Sequence, residues 1–129
     1  MASLIVGSEG TMVAVTEAKL NLEPLPKVRG LAILHFNSLV EAMEANIATL
    51  PHHPSAVELI DDMVIQRSRE SVGFARRLTW VEGNPKAMLL VEFFADSSQE
   101  LESKIQGLRE DMESKRLSYA CVVALTPEA

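Results

Sequence analysis

The stretch Val28-Arg-Gly-Leu-Ala-Ile-Leu-His-Phe36 is a nearly continuous apolar run, and the polar pair Asn37-Ser38 follows it directly. An apolar run of this length, bounded by turn residues, is typical of a mostly buried strand. Ser38, with Glu41 three residues later, forms the capping-box pattern that begins a helix. Large apolar residues then recur near helical spacing up to Pro51, at Leu39, Met43, Ile47 and Leu50. The stretch therefore predicts a strand followed by an amphipathic helix.

The turn sequence His52-His53-Pro54 separates this helix from a second predicted strand over residues 55–60. Asp61 or Asp62 then suits the N-cap of a further helix. The buried face of that helix is predicted to carry Met63, Val64 and Phe74.

The second half of the chain repeats the strand–helix–strand order. Turn residues 82–85 precede a predicted strand over residues 86–94, and Asp96 or Ser97 suits the cap of the next helix. The apolar stripe of that helix consists of Leu101, Ile105, Leu108 and Met112, and a last strand is predicted over residues 117–125. The order predicts an α+β fold, the ferredoxin-like split βαβ sandwich, with an antiparallel sheet and two main helices on one face.

The first 26 residues have a different pattern. Apolar and polar residues roughly alternate over residues 11–22, which predicts a short N-terminal β segment. Pro24 and Pro26 lack the backbone donors that a central strand needs, so we place a linker there. We therefore predict an appendage of residues 1–26, made of a glycine turn, a strand and the proline linker, and a ferredoxin-like unit of residues 27–129.

The run Gly7-Ser8-Glu9-Gly10-Thr11 has two glycines, whose backbone N–H groups can approach a ligand closely, and two hydroxyls beside them. By itself such a run also suits a plain tight turn. With Val15-Thr16-Glu17-Ala18 it resembles the pattern Gly-Ser-Glu-Gly-Thr-Leu-Gly-Ile-Val-Thr-Glu-Ala of FAD-linked oxidases of the vanillyl-alcohol-oxidase type, the group that contains D-lactate, glycolate and D-2-hydroxyglutarate dehydrogenases. Val13 stands where that pattern has a glycine, and its β-branched side chain fills space that a cofactor needs.

The resemblance implies that residues 1–26 are the tail of an FAD-binding domain and that residues 27–129 are the first half of a substrate cap domain. It implies FAD as the cofactor, with contacts from Gly7, Ser8, Glu9, Gly10, Thr11 and Val15. The strand sequences Ala56-Val-Glu-Leu-Ile-Asp61 and Leu89-Leu-Val-Glu-Phe93 also resemble the family. The sequence lacks the family's pyrophosphate-binding glycines and its histidine-rich segment, so we expect a part of a larger enzyme, inactive alone, with no catalytic or metal-binding residue.

The composition suits one domain with a substantial core, because the chain has 129 residues of which 47% are hydrophobic. A net charge of −6 opposes binding to nucleic acid or to an anionic membrane, since both need a basic face. The single cysteine, Cys121, excludes an internal disulfide and is compatible with a reducing cytoplasm, where we expect the protein. No apolar run reaches the roughly 18 residues of a membrane span.

The remaining candidates for chemistry have simpler structural interpretations. His35 lies inside the first predicted strand, where a hydrogen-bonded histidine is more common than a catalytic base. His52 and His53 are neighbours in a turn and point in different directions, so we expect a solvent-facing turn rather than a metal site. Asp61 and Asp62 suit helix capping better than acid–base catalysis.

Two functions from different classes remain open. In the first, the chain is part of an FAD-dependent 2-hydroxyacid dehydrogenase or oxidase, and its partners are the missing segments of the flavin and cap domains. In the second, it is an independent ferredoxin-like module that binds a small ligand or dimerises without catalysis. Burial of exposed apolar surface against a second copy makes a homodimer the expected assembly. A flavin titration distinguishes these two functions.

Overall fold

The computed structural model describes residues 1–125, so the last four residues of the predicted unit 27–129 lie outside the described part. The strands are β1 (Val28–Phe36), β2 (Ala56–Asp61), β3 (Ala87–Ala95) and β4 (Ala120–Leu125). The helices are α1 (Ala2–Gly7), α2 (Leu39–Thr49), α3 (Asp62–Glu70), α4 (Val72–Ala75) and α5 (Ser98–Lys115), and a 3₁₀ turn follows α2 at Leu50–His52. None of these helices combines the length and apolar character that a membrane crossing requires.

The two long helices begin with the same capping arrangement. Ser38 Oγ accepts the N–H of Glu41 at 3.2 Å, and the Glu41 carboxylate accepts the N–H of Asn37 at 3.0 Å. Ser97 and Glu100 repeat this arrangement at the start of α5. Each serine hydroxyl satisfies an N–H that the first helical turn leaves without a partner, and each carboxylate accepts the N–H of the residue before the cap. The predicted capping box is confirmed, and Ser97 rather than Asp96 is the cap of α5.

The sheet has the strand order β2-β3-β1-β4, and every pair of neighbours is antiparallel. Each strand–helix–strand unit therefore leaves a gap between its two strands, and a strand of the other unit fills it. This is the split βαβ arrangement. The predicted α+β ferredoxin-like fold is confirmed.

One face of the sheet, the inner face, is covered by α2 and α5. Its buried strand residues are Ala32, Leu34 and Phe36 from β1 and Leu89, Val91 and Phe93 from β3. The predicted stripe of α5, Leu101, Ile105, Leu108 and Met112, packs on them. The inner face therefore holds the main core of the protein.

The opposite, outer face of the sheet is only partly covered. Ile65 of α3 packs there against Ile33 and Met88, and all three are buried. Trp80 and Val81 extend this smaller cluster. The outer face remains open at the end of β1 where Leu31 lies, because α3 and its following loop cover only the other end.

Helix α2 packs on the sheet with a face that the sequence pattern did not predict. Its buried residues are Ala42, Ala45 and Thr49, whereas the leucine, methionine and isoleucine positions of the predicted stripe are exposed. Small residues allow the helix backbone to lie close to the sheet, and this close packing directs the larger side chains outward. Both faces of α2 are therefore apolar, which is typical of a helix covered on both sides.

The predicted buried face of α3 is also wrong. Met63, Val64 and Phe74 are exposed, and Ile65 is the residue of α3 that reaches the sheet. Asp61 does cap this helix, since its carboxylate accepts the N–H of Val64 at 2.9 Å. The start of α3 was predictable, but its orientation depends on the sheet beneath it.

The predicted N-terminal β segment is absent from the structure. Residues 13–26 have no regular secondary structure, and the apolar side chains of this segment, Val13, Val15, Leu20, Leu22 and Leu25, are exposed. An alternating pattern forms a strand only where a neighbouring strand supplies hydrogen bonds. Helix α1, which the sequence did not predict, precedes this segment and buries none of its residues.

Gly30 is expected to be intolerant of a side chain, because β1 passes directly beneath α5 there. A Cβ at Gly30 would lie 3.0 Å from Leu125 Cδ2 and 3.2 Å from both Ile105 Cδ1 and Leu101 Cδ2. We expect Gly30→Val to lower the free energy of unfolding by roughly 1–3 kcal/mol through overpacking. In urea denaturation the control Gly107→Ala, in open space within α5, should gain about 0.5–1 kcal/mol. Equal stabilities of the two variants would contradict this account.

Candidate functional site

The predicted glycine turn of residues 7–11 begins at Gly7, the last residue of α1, and continues through the residues that follow the helix. Glu9 and Gly10 both have left-handed backbone conformations, with φ of 47° and 79°. Gly10 suits this conformation because it has no Cβ, and a Cβ placed at Gly7 or Gly10 would meet no atom within 4 Å. The turn therefore presents its backbone to open space, as a turn that approaches a ligand must.

The two hydroxyls of the turn are already engaged within it. Ser8 Oγ donates to the Ile5 carbonyl at 2.7 Å, and Thr11 Oγ1 donates to the Ser8 carbonyl at 2.6 Å. The Thr11 N–H also donates to Ser8 at 2.9 Å. Among residues 1–125, no group accepts the Gly10 N–H. The turn is thus held by its hydroxyls, and it offers a backbone donor, the kind of group that binds a phosphate or a flavin oxygen.

The structure brings the predicted cofactor-binding residues together except for one. Gly7 ends α1, and Ser8, Glu9, Gly10 and Thr11 continue from it as a turn, in which only Ser8 is buried. Val15 lies further along the exposed extended segment, next to no strand. The turn therefore leaves its backbone open to a ligand, and Val15 is exposed outside it.

The buried His35 joins a hydrogen-bonded cluster with Glu82 and Tyr119 that the sequence only partly predicted. The Glu82 N–H donates to His35 Nε2 at 3.2 Å, so the neutral ring carries its proton on Nδ1 and donates to the Ile33 carbonyl at 3.1 Å. The Tyr119 hydroxyl donates to the Glu82 carbonyl at 2.9 Å, and its ring lies 5.9 Å from the imidazole. The predicted hydrogen-bonded core histidine is confirmed. Its partner Glu82 lies 47 residues away, and no local pattern identifies it.

Burial lowers the pKa of His35 below its ordinary value of 6.5, although the Ile33 carbonyl and the Glu82 carboxylate oppose this shift. The neutral ring is needed here, because a protonated ring would turn Nε2 into a donor facing the Glu82 N–H. His35 therefore joins β1 to the loop that carries Trp80 and Val81 across the outer face. It has a structural role, and burial also raises the pKa of the Tyr119 hydroxyl beside it.

The other histidines and acids are also used structurally. His52 is only partly exposed, because its Nε2 lies 3.2 Å from Asp111 of α5, so the predicted solvent-facing turn describes His53 alone. The Lys115 ammonium and, to a lesser extent, His52 hold the pKa of Asp111 below its ordinary value. Asp62 pairs with Lys86 at 3.1 Å. In the described part of the chain, no three histidine, cysteine or carboxylate side chains are placed to share a metal ion.

Cys121 packs partly buried against the inner core, from its position on β4. Burial raises the pKa of its thiol, which keeps it protonated and a poor nucleophile. Cys121 therefore has a packing role in this environment.

The fold and the turn together define the class of protein: a ferredoxin-like α+β unit that follows a glycine turn and a proline-containing linker. The chain belongs to the FAD-linked oxidase family, since the model of the "FAD linked oxidases, C-terminal domain" matches residues 25–128.

Curated relatives agree with this assignment. A D-2-hydroxyglutarate dehydrogenase of Pseudomonas putida is 28% identical over 116 residues, which are 87% of this chain and 12% of that protein. A D-2-hydroxyglutarate dehydrogenase of Escherichia coli is 27% identical over 84% of this chain and 11% of its own length. A D-lactate dehydrogenase of Anaerostipes hadrus is 31% identical over 85% of this chain and 24% of its own length. The chain thus spans from about a tenth to a quarter of these relatives.

Proposed function

We propose that this chain is part of an FAD-dependent oxidoreductase that acts on 2-hydroxy acids. The observation that carries the proposal is the family match over residues 25–128, directly after a glycine turn that resembles the same family. The names of the relatives, D-2-hydroxyglutarate and D-lactate dehydrogenases, support a 2-hydroxy acid as the substrate class. The partners of the chain are the further flavin-domain and cap-domain segments of such an enzyme, in the cytoplasm.

The chain makes two contributions in this proposal. Residues 1–26 end the flavin domain, and the turn of residues 7–11 contacts FAD together with Val15. The open glycine geometry and the Gly10 N–H support this role. Residues 27–129 form half of the substrate cap. A shallow cavity of about 230 Å³ at the open end of the outer face, beside Leu31, Glu92 and Ala124, supports a role for that face in covering a bound molecule.

Bound FAD would supply the redox chemistry, by accepting the hydride that leaves C2 of the hydroxy acid. This chain's residues would orient the flavin and exclude water, and none of them is assigned a proton-transfer role. The chain is therefore inactive alone.

The test is a fluorescence titration of FAD with the purified protein. We expect saturable quenching with weak affinity, in the micromolar range or above, because one turn provides few contacts. Gly10→Val should abolish the quenching, since a β-branched residue at φ of 79° strains the turn and covers its backbone. The absence of saturable quenching with the unmodified protein would remove the flavin contact from the proposal.

Val13→Gly is expected to strengthen FAD binding, because the substitution restores the glycine of the family pattern and removes a side chain beside the turn. We expect a gain of up to about tenfold in affinity, or about 1.4 kcal/mol. Leu20→Gly is the matched control, because it adds the same backbone freedom at an exposed position outside the turn. A titration in which both variants match the unmodified protein would exclude Val13 from the flavin surface.

A further inference from the structure

After α4 the chain crosses the outer face of the sheet in a segment that is neither helix nor strand. We call residues 78–84 of this segment the strap. Trp80 and Val81 of the strap pack against the small outer-face cluster that contains Ile33 of β1 and Met88 of β3, both of which are buried. The strap therefore covers one end of the outer face and leaves the other end open.

Side chains from three different parts of the fold hold the strap in place. His35 of β1 accepts the Glu82 N–H at Nε2, over 3.2 Å. The Tyr119 hydroxyl, just before β4, donates to the Glu82 carbonyl at 2.9 Å, and the Arg69 guanidinium of α3 donates to the Gly83 carbonyl at 2.8 Å. In the described part of the chain, no backbone–backbone hydrogen bond joins the strap to the sheet. The position of the strap therefore depends on these side chains and on its apolar contacts.

Protonation reverses only one of the three contacts. Tyr119 and Arg69 are donors that keep their protons between about pH 5 and pH 8, whereas histidine changes its charge in that range. Neutral His35 accepts at Nε2, but the protonated ring carries an N–H at this position, which faces the Glu82 N–H. Two donors cannot form a hydrogen bond, so protonation of His35 removes the contact between β1 and the strap.

The surroundings of His35 favour the neutral ring while the strap is closed. The ionisable groups near it are the Glu82 carboxylate of the strap and Tyr119, while the charge of Arg69 acts on Tyr119. Opposite His35, β3 contributes the apolar Met88. The Glu82 carboxylate favours the protonated ring, but burial has the larger effect and lowers the pKa of His35. The closed strap therefore binds the proton less strongly than an open strap, in which water reaches the ring.

We propose that the strap opens away from the outer face when His35 is protonated, while the sheet and its inner core stay folded. The main core lies between the sheet and the helices α2 and α5, so it does not depend on the strap. Opening uncovers part of the cluster that contains Ile33 and Met88, and it extends the open outer face along β1. The strap is thus a pH-dependent cover for this face, and its opening does not require bound flavin.

Amide hydrogen exchange of the purified protein, followed by NMR from about pH 7 to pH 5, tests the proposal. After correction for the intrinsic pH dependence of exchange, the protection of the Val81 and Glu82 amides should fall by up to about tenfold for each pH unit below 6.5, the equivalent of one bound proton. At each pH the amides of β1 and β3 should remain protected after those of the strap have exchanged, because the strap opens without the sheet.

Three variants separate the role of His35 from a general loosening of the strap. His35→Gln should abolish the pH dependence of strap protection, because no titrating ring remains there. Tyr119→Phe, at a partly exposed position, should lower strap protection about two- to tenfold at both ends of the pH range and keep the pH dependence, because the lost hydrogen bond does not titrate there. His53→Asn, at an exposed histidine outside the strap, should match the unmodified protein.

Three results would each overturn the proposal. The first is a strap whose amides exchange only together with those of β1 and β3. The second is strap protection that does not change with pH. The third is a pH dependence that the His35→Gln variant retains.

Discussion

Phe93→Ala is expected to lower the free energy of unfolding by about 3–5 kcal/mol, a large share of the roughly 5–15 kcal/mol that a domain of this kind has in total. Phe93 is 1% exposed, and it lies on the inner face of the central strand β3 among the core residues under α5. Removal of the ring loses its transfer free energy and leaves a cavity between sheet and helix, and both effects lower the free energy of unfolding. Urea denaturation at pH 7 measures the loss.

The next residue provides the matched control for this experiment. Phe94 has the same side chain on the same strand, but it points to the outer face and is 40% exposed. We expect Phe94→Ala to cost about 1 kcal/mol, because water already reaches its ring. Equal losses for the two variants would contradict the assignment of the core to the inner face.

The protein is expected to lose stability as the pH falls below about 6.5, because His35 must be neutral in the folded state. Burial lowers its pKa when the chain folds, so the unfolded chain binds the proton more strongly. The contribution of neutral His35 to stability is fully present above the pKa that His35 has in the unfolded chain. It is lost as the pH falls through the lower pKa of the folded state. Urea midpoints between pH 7 and pH 5 measure it, above the range where carboxylates titrate.

His35→Gln should remove most of this pH dependence and should cost about 1–3 kcal/mol at pH 7. The cost arises because the Glu82 N–H loses a well-placed acceptor in a partly buried position. His53→Asn is the control, because His53 is exposed and has a left-handed conformation that asparagine accepts. An unchanged pH dependence in His35→Gln would assign the effect to another group.

Local sequence patterns predicted the elements of this fold well. The four strands, the capping residues Ser38 and Asp61, and the buried stripe of α5 all follow from periodicity and cap chemistry, which act within a few residues. The failures occur where the outcome depends on parts of the chain that are distant in sequence. Residues 11–22 lack a neighbouring strand, so their alternation alone does not make a β segment.

The candidate site was likewise predictable from the sequence only in part. The glycines of residues 7–11 were visible in the sequence, and Gly10 adopts φ > 0 without strain, whereas the positive φ of Glu9 was not predicted. The bond between His35 and Glu82 was not visible, because it depends on a fold that joins residues 47 positions apart.

The sequence by itself determined the order of the four strands and of α2, α3 and α5, where these three helices begin, and the glycine turn before the linker, since these depend on local backbone and capping preferences. Only the tertiary structure decided which face of α2 meets the sheet. Both faces of α2 are apolar. The face with the small residues Ala42 and Ala45 packs on the sheet, because small residues let helix and sheet pack closely.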